Sequence, residues 1–200
     1  CKLNNLNSNN RDENKILFKS LIDLIHNETR KKITNESISE DEKEKISETV
    51  AIAALKYADF LPFRATDYVF EPEKFADLEG KTGPYLLYST IRMKSLLNKA
   101  SGLKYEKVHK FKGKTEGELA LTILNLPNII EKAIDTKSMN EITEYLYNIT
   151  SLYNKFYSEN KVLTEEDTEL KESWLVLTKV VYNINTLLLN TLGIEVPEKM

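Results

Sequence analysis

The chain has 200 residues, of which 41% are apolar and 30% are charged, and it contains six glycines and five prolines. This composition excludes collagen-like, disordered and disulfide-scaffold proteins and is typical of a soluble, helix-rich domain. The formal net charge of −3 argues weakly against a nucleic-acid partner if the charge is spread evenly. No stretch approaches the roughly 18 apolar residues of a membrane span, and we expect a cytoplasmic protein without membrane contact.

The first 80 residues predict two helices and an irregular connector. The chain begins with Cys1 instead of methionine, so we expect a piece of a longer protein. Apolar residues three and four apart predict a helix over residues 16–33, and a capping box from Ser39 to Glu42 predicts a second helix that ends near Ala58. Two prolines interrupt the following segment, where residues 67–70 are typical of one short strand.

Residues 81–200 predict further helices and little else. A helix over residues 84–101 begins at Thr82-Gly83-Pro84 and ends before a glycine. Capping boxes at Thr115 and Ser138 predict two more helix starts, and Pro127 divides the first of these segments into two short helices or one kinked helix. The last helix is predicted to begin at Thr164 and to end at Gly193.

Two segments of this region follow a heptad rhythm. Apolar residues recur at spacings of three and four over residues 142–156 and again over residues 170–188. Because only a short loop joins them, the two helices are predicted to pack antiparallel and to bury Tyr145, Phe156 and Trp174 between them. The predicted fold class is therefore an all-α helical bundle, preceded by a helical connector with one short strand.

The charge is unevenly distributed along the chain. Residues 81–114 contain nine basic residues and one acidic residue, so this segment has a charge of +8 and the remainder −11. Such a run is often only a solvated face. The alternative is a zone that binds phosphate groups.

The helix predicted over residues 84–101 has two distinct faces. Leu86, Met93 and Leu97 share an apolar face, which is suited to packing against the bundle. A second stripe, roughly 100° away around the helix, combines aromatic and basic side chains that can stack on unpaired bases and neutralise phosphates. The alternative is that its tyrosines are residues at the edge of the core. The stripe consists of Tyr85, Tyr88, Arg92, Ser95 and Lys99.

The sequence shows no catalytic or metal-binding constellation. Its single cysteine is terminal, and His26 and His109 stand in polar surroundings without an evident partner, which is typical of surface histidines. A cluster of zinc ligands and a glycine-rich phosphate loop are both missing. We predict no catalytic residue, no metal and no cofactor in this chain.

Several strings of this sequence resemble the C-terminal part of the arginyl-tRNA synthetase family of class I aminoacyl-tRNA synthetases. The resemblance covers residues 45–200 apart from a variable stretch near 102–116, and its most specific part is the string Gly83 to Tyr88 followed by Arg92. It implies a tail of the catalytic core and connector over residues 1–80 and a DALR-type anticodon-binding bundle over residues 81–200. The strings are AIAALKYADF, RATDYVFEPEKF, LEGKTGPYLLYSTIRMKSLL, EYLYNITSLYNKFYSENKVL, LTKVVYN and LGIEVPEKM.

The resemblance also implies a function. The full-length protein would ligate arginine to its tRNA with ATP and magnesium, and arginine and ATP would bind a catalytic domain that this chain lacks. The chain alone is predicted to be inactive, to bind tRNA for arginine and to bind no DNA. The residues implied to contact tRNA are Tyr85, Tyr88, Arg92, Lys94, Lys99 and Met200.

Two assignments complete the interpretation. Asn154 and Tyr157 are interpreted as packing or loop support, and Trp174 and the heptad residues as core.

The alternative function is a helical protein-interaction module without an RNA partner. Such a module would expose an apolar groove, whereas an RNA-binding domain would show salt-dependent binding through its lysines.

Overall fold

A computed structural model describes residues 2–3, 18–32, 39–66 and 69–200 of the chain. These residues form an all-α bundle, as predicted. One parallel pair of two-residue strands accompanies the helices, in the register Lys2 with Val69 and Leu3 with Phe70. The elements are β1 (Lys2–Leu3), α1 (Phe18–Lys32), α2 (Glu40–Phe60), β2 (Val69–Phe70), α3 (Pro72–Phe75), α4 (Gly83–Lys99), α5 (Lys114–Leu124), α6 (Leu126–Thr136), α7 (Asn140–Glu159), a 3-10 helix (Val162–Thr164) and α8 (Thr168–Thr191).

The predictions for the first 80 residues are largely confirmed. Helices α1 and α2 are present, and the Ser39 hydroxyl accepts a hydrogen bond from the Glu42 backbone at 3.3 Å while the Glu42 carboxylate accepts one from the Ser39 backbone at 3.2 Å. Helix α2 continues to Phe60, slightly beyond the predicted end. The predicted helix residues 16–17 and the predicted strand residues 67–68 lie outside the described residues.

The start of α4 packs against α2 with no space between the two backbones. The Thr82 hydroxyl caps this helix by accepting a hydrogen bond from the Tyr85 backbone at 3.2 Å, and Pro84 occupies its first turn, as predicted. A Cβ atom at Gly83 would lie 2.3 Å from the carbonyl oxygen of Ala53 in α2. Only glycine fits this contact, so the contact fixes where α4 begins.

The predicted capping box at Thr115 is wrong. Helix α5 begins at Lys114, and Glu116 in its first turn accepts hydrogen bonds from the backbone of Gly113 and Lys112. The carboxylate therefore reaches backwards along the chain, and the glycine before the helix has no side chain that could complete a box. Pro127 lies in the first turn of α6, so this segment forms two short helices.

The predicted starts of the last two long helices are also wrong. Ser138 belongs to the end of α6, because its backbone N–H donates to Ala133 after Lys137 has turned the chain with a φ of 50°. Helix α7 begins at Asn140. Thr164 ends the 3-10 helix, and α8 begins at Thr168, where the Asp167 carboxylate accepts a hydrogen bond from Leu170 at 3.1 Å.

Helices α7 and α8 pack together in the main core as the heptad rhythm predicts. Phe156 and Trp174 meet edge to face with ring centroids 6.1 Å apart, and both are fully buried. Tyr145 is buried too, but its hydroxyl donates to Thr122 in α5 at 2.9 Å. The heptad residues on α8 are core residues, as predicted.

Helix α4 lies at the centre of the bundle and contacts α2, α7 and α8. The Asn185 amide on α8 donates to Thr150 on α7 at 2.9 Å and to Thr90 on α4 at 3.3 Å, and all three side chains are fully buried. Because a buried polar group must keep its partners, this network fixes the three helices against one another. The main core includes residues of α2, so it extends across the predicted boundary at residue 80, which stays a prediction.

We expect Gly83→Ala to lower the free energy of unfolding by about 1 to 3 kcal/mol or more, because the added methyl group overlaps the α2 backbone. Gly117→Ala is the matched control. No atom lies within 4 Å of a Cβ at Gly117 inside α5, so this change should be neutral or stabilise by up to about 1 kcal/mol. Urea unfolding measures both. Equal stabilities of the two variants would contradict the contact.

Candidate nucleic-acid interface

The predicted stripe of aromatic and basic residues lies on the outer face of α4. Tyr88 is 45% exposed, and Ser95 and Lys99 are also exposed, whereas Tyr85 and Arg92 are half-buried. The opposite, apolar face of the helix is buried in the core. The packing of α4 therefore leaves this stripe available to a partner, although its contact with RNA stays a prediction.

Arg92 lies between two aromatic rings. Its guanidinium carbon lies 4.8 Å from the ring centroid of Tyr157 on α7 and 5.7 Å from that of Tyr88 on α4. Such cation–π contacts hold a guanidinium in place without neutralising it. Arg92 forms no ion pair within the described structure, so its positive charge is available to an anion.

Asn154 on α7 connects the members of this arrangement. Its amide nitrogen donates to the Tyr85 hydroxyl at 2.8 Å and to the Ser89 hydroxyl at 2.9 Å, and its amide oxygen accepts a hydrogen bond from Arg92. The Tyr85 ring also packs against Tyr147 with centroids 5.9 Å apart. Tyr85 is thus held against α7, whereas the Tyr88 hydroxyl forms no hydrogen bond within the described part of the chain.

Residues of α4 and α7 together form a surface that we name the aromatic face. The sequence analysis interpreted Asn154 and Tyr157 as packing or loop support and did not place them beside Arg92. The spacing along the sequence did indicate that these residues share one side of α7, because Tyr147, Asn154 and Tyr157 are seven and three residues apart. That the side faces α4 was not visible in the spacing. The face consists of Tyr85, Tyr88 and Arg92 on α4 and Tyr147, Asn154 and Tyr157 on α7.

The remaining predicted site residues lie together at the other end of α4. Lys94, Lys99 and Met200 line a cleft of about 570 Å³ between this helix and the C-terminal residues. Lys94 forms an ion pair with Glu198, whereas Lys99 is exposed and has no ion pair in the described part of the chain. Met200 is half-buried against the main core.

Ion pairs compensate part of the formal charge of +8 that residues 81–114 carry. Five lysines of this segment pair with acidic residues from other parts of the chain or from the next turn. Their charges are largely compensated, because the fold brings acidic residues of α7, of residues 165–169 and of the C-terminus against them. The cations without an ion pair among the described residues are Arg92, Lys99, Lys104 and Lys107. The pairs are Lys81 with Glu144, Lys94 with Glu198, Lys110 with Asp167 and Glu169, Lys112 with Glu165, and Lys114 with Glu118.

Side chains from α8 hold the loop over residues 100–113. The Glu172 carboxylate accepts hydrogen bonds from the backbone of Glu106 at 2.8 Å and of Lys107 at 3.4 Å, and contacts the His109 ring at 2.6 Å. The Ser173 hydroxyl accepts one from the His109 backbone at 2.8 Å. The expectation that His109 has no partner is therefore wrong, and His26 likewise contacts Glu44.

The buried Glu116 carboxylate fixes the end of the same loop. It accepts hydrogen bonds from the backbone of Lys112 and Gly113 and from the indole nitrogen of Trp174. The ammonium group of Lys112 lies 5.5 Å from the centre of the Trp174 ring. A carboxylate buried with three donors orders the loop, and the loop therefore presents Lys104 and Lys107 from a fixed backbone.

The described residues offer neither a metal site nor a membrane span. No group of three or more histidine, cysteine, aspartate and glutamate side chains there could hold a metal ion. No helix in the same ranges is long and apolar enough to cross a membrane.

The fold and this surface define an all-α domain with one aromatic, cation-bearing face. The family model of the DALR anticodon binding domain matches residues 86–200, and the chain belongs to that family. This match confirms the resemblance drawn from the sequence.

Curated relatives and solved structures agree with this assignment. The chain is 35% identical over 187 residues to the arginine–tRNA ligase of Alkaliphilus oremlandii, covering 92% of the chain and 31% of that protein. It is 32% identical over 188 residues to the enzyme of Francisella tularensis subsp. novicida, covering 90% of the chain and 32% of that protein. The chain thus spans about a third of the length of these relatives.

The fold matches two solved arginyl-tRNA synthetases. The Thermus thermophilus structure has a TM-score of 0.82 at 23% identity, over 91% of this chain and 32% of that one. The Plasmodium falciparum structure has a TM-score of 0.79 at 24% identity, over 93% of this chain and 34% of that one. At these identities the two structures establish the fold alone.

We expect the loop over residues 100–113 to loosen in acid. The backbone N–H of Glu106 and the His109 side chain hold the pKa of Glu172 below its ordinary value near 4.5. A lowered carboxylate pKa stabilises the folded contact above the ordinary value, and this contribution is lost as the pH falls through the lowered pKa. The amide resonances of Glu106 and Lys107 should therefore shift together as the pH falls below the ordinary carboxyl pKa and through the lowered pKa of Glu172.

Glu172→Gln is the control for this titration. The amide oxygen keeps the shape of the acceptor but cannot be protonated in this range. The coordinated shift of the two amides should disappear in this variant. Its persistence would mean that another group releases the loop.

Proposed function

We propose that this chain is the tRNA-binding, anticodon-recognising part of an arginine–tRNA ligase. In this proposal the whole protein ligates arginine to its tRNA in the cytoplasm with ATP and magnesium, and the arginine and ATP sites lie outside these 200 residues. The chain itself contributes RNA contacts and no catalytic residue. The names of the curated relatives support the proposal.

The observation that carries the proposal is the uncompensated Arg92 between Tyr88 and Tyr157. An exposed ring can stack on an unpaired base, which is worth about 1 to 3 kcal/mol per base. A guanidinium beside the rings can bind the adjoining phosphate with two parallel hydrogen bonds. The aromatic face therefore offers both contacts that single-stranded RNA requires, within one helix turn.

The other predicted site residues take different parts in this function. Tyr88 is the exposed stacking platform, whereas Tyr85 is held against α7 because Asn154 donates a hydrogen bond to its hydroxyl. Lys99 offers a free ammonium group at the end of α4, and Met200 provides apolar surface in the adjacent cleft. Lys94 is already paired with Glu198, so its ammonium group is not assigned to a phosphate.

One observation favours the alternative of a protein-interaction module. Apolar side chains on α5 and α6 are strongly exposed, with Leu121 at 70%, Leu124 at 72% and Ile134 at 67%. These residues lie outside the aromatic face and are compatible with RNA binding at α4. The salt dependence of binding distinguishes the two functions, because contacts between apolar surfaces do not release counterions.

We expect the chain to bind tRNA for arginine with an affinity that depends steeply on salt. If the four cations without an ion pair each contact one phosphate, a fourfold increase in salt should weaken binding about 50-fold. Lys99→Gln should reduce the logarithmic salt slope by about 0.7. Filter binding at several salt concentrations measures both quantities.

Lys114→Gln is the matched control for this experiment, because Lys114 pairs with Glu118 within its own helix. Its slope should equal that of the wild type. A duplex DNA of the same length should bind more weakly than the tRNA. Salt-independent binding, or equal binding of DNA and tRNA, would contradict the proposed function.

Tyr88→Ala should weaken tRNA binding by about 5- to 150-fold, which corresponds to the loss of one stacked base. The thermal midpoint should change little, because the Tyr88 side chain is 45% exposed and its hydroxyl forms no hydrogen bond with any described residue. Tyr85→Ala should lower the midpoint more, because it also releases Asn154. Tyr88→Phe keeps the ring and should bind like the wild type. A large drop in midpoint for Tyr88→Ala with unchanged binding would identify Tyr88 as a packing residue.

A further inference from the structure

The last eight residues form a tail that returns to the centre of the bundle. Gly193 ends α8 with a φ of +68°, and the Ile194 backbone N–H donates to Leu189 at 2.8 Å. Ile194 is buried, and the Lys56 ammonium group on α2 donates to the Gly193 carbonyl. The tail over residues 193–200 is therefore anchored where it leaves α8.

Two ion pairs fasten the far end of the tail to different helices. Glu198 pairs with Lys94 on α4, and the Lys199 ammonium group lies 2.7 Å from the Glu42 carboxylate at the start of α2. These two residues are consecutive and reach in different directions. They connect the tail to α2 and to α4 immediately before Met200.

The pair between Lys94 and Glu198 lies beside Met200, which also packs against the main core. Lys94, Glu198 and Met200 all line the cleft beside α4. The Lys94 side chain is only 26% exposed, whereas the Glu198 side chain is 87% exposed. Glu198 has no other ion pair or hydrogen bond in the described structure, so its position depends on Lys94.

We propose that Glu198 is a positioning residue that holds Met200 in this cleft through Lys94 and thereby strengthens RNA binding. The inference rests on the proposed function and deepens it. Lys94 acts on RNA through the tail and does not itself neutralise a phosphate. An acidic residue thus contributes favourably to a surface that binds an anion.

The direction in which Glu198→Gln changes the affinity for RNA distinguishes this role from direct binding of a phosphate by Lys94. If Lys94 binds a phosphate and Glu198 merely competes, Glu198→Gln frees the lysine and removes a negative charge, so RNA affinity rises. If Glu198 positions the tail, the same change releases Met200 and affinity falls. A surface ion pair of this kind predicts a loss of about two- to fivefold.

Glu195→Gln is the matched control, because Glu195 is exposed on the same tail and forms no ion pair in the described structure. It measures the effect of removing one tail charge alone. We expect Glu198→Gln to bind tRNA about two- to fivefold more weakly than Glu195→Gln, with an unchanged thermal midpoint. Equal or tighter binding by Glu198→Gln would overturn the proposal.

A reciprocal exchange tests the pair itself. Lys94→Glu should weaken binding, and the double variant Lys94→Glu with Glu198→Lys should recover most of the loss, because it restores the ion pair with reversed polarity. Lys94→Glu with Glu195→Lys is the control, because it adds the same charge to the tail without restoring the pair and should recover less. Failure of the variant with Glu198→Lys to bind better than this control would therefore overturn the positioning role.

Methyl NMR of the methionine side chains measures whether Met200 stays in place when no RNA is present. The chain has three methionines, and Met93 in the core and Met139 at the start of α7 serve as internal references. Glu198→Gln should shift and narrow the Met200 methyl resonance only, and an unchanged resonance would overturn the proposal. If the wild-type chain binds no tRNA, the proposed function fails, whereas this measurement still decides whether Glu198 holds Met200.

Discussion

The close approach of α4 to α2 at Gly83 is the constraint on which the rest of the structure depends. A Cβ atom there would overlap the Ala53 carbonyl, so the absence of a side chain allows the two backbones to touch. The buried contacts of Asn185 with Thr90 and Thr150 then fix α4 against α7 and α8. With one end and the middle of the helix fixed, its rotation is fixed too, and the aromatic face points outwards.

The fold assigns different tasks to chemically similar cations. Lysines that pair with a carboxylate, such as Lys81 and Lys110, stabilise the fold, and the carboxylate compensates their positive charge. Arg92 is held by rings and by an amide, which position a cation without cancelling its charge. The surface available to an anion is thus defined by what remains unpaired, and net charge along the sequence is a poor guide to it.

Carboxylates in this molecule act mainly by ordering irregular backbone. Glu116 and Glu172 together accept hydrogen bonds from four backbone N–H groups of one loop, and Glu198 fastens the tail that ends at Met200. A loop or a tail has few internal hydrogen bonds, so side chains of neighbouring helices must supply them. In the proposed function, the order of the surface that would bind RNA therefore depends on acidic residues that do not contact RNA themselves.

The sequence alone determined the helices, the apolar faces and the family. Heptad spacing predicted the packing of Phe156 on Trp174, and the string from Gly83 to Tyr88 predicted the helix that forms the candidate site, because both depend on local periodicity. Only the tertiary structure decided which cations have no ion pair among the described residues, and it placed Asn154 in contact with Tyr85 and Arg92. It also moved three helix starts, at Thr115, Ser138 and Thr164. The partners of the cations and of Asn154 lie on other elements, and spacing within one segment contains no information about them. The helix starts depend instead on local caps at Glu116 and Asp167 and on the turn at Lys137, where several polar residues of the sequence compete for the cap.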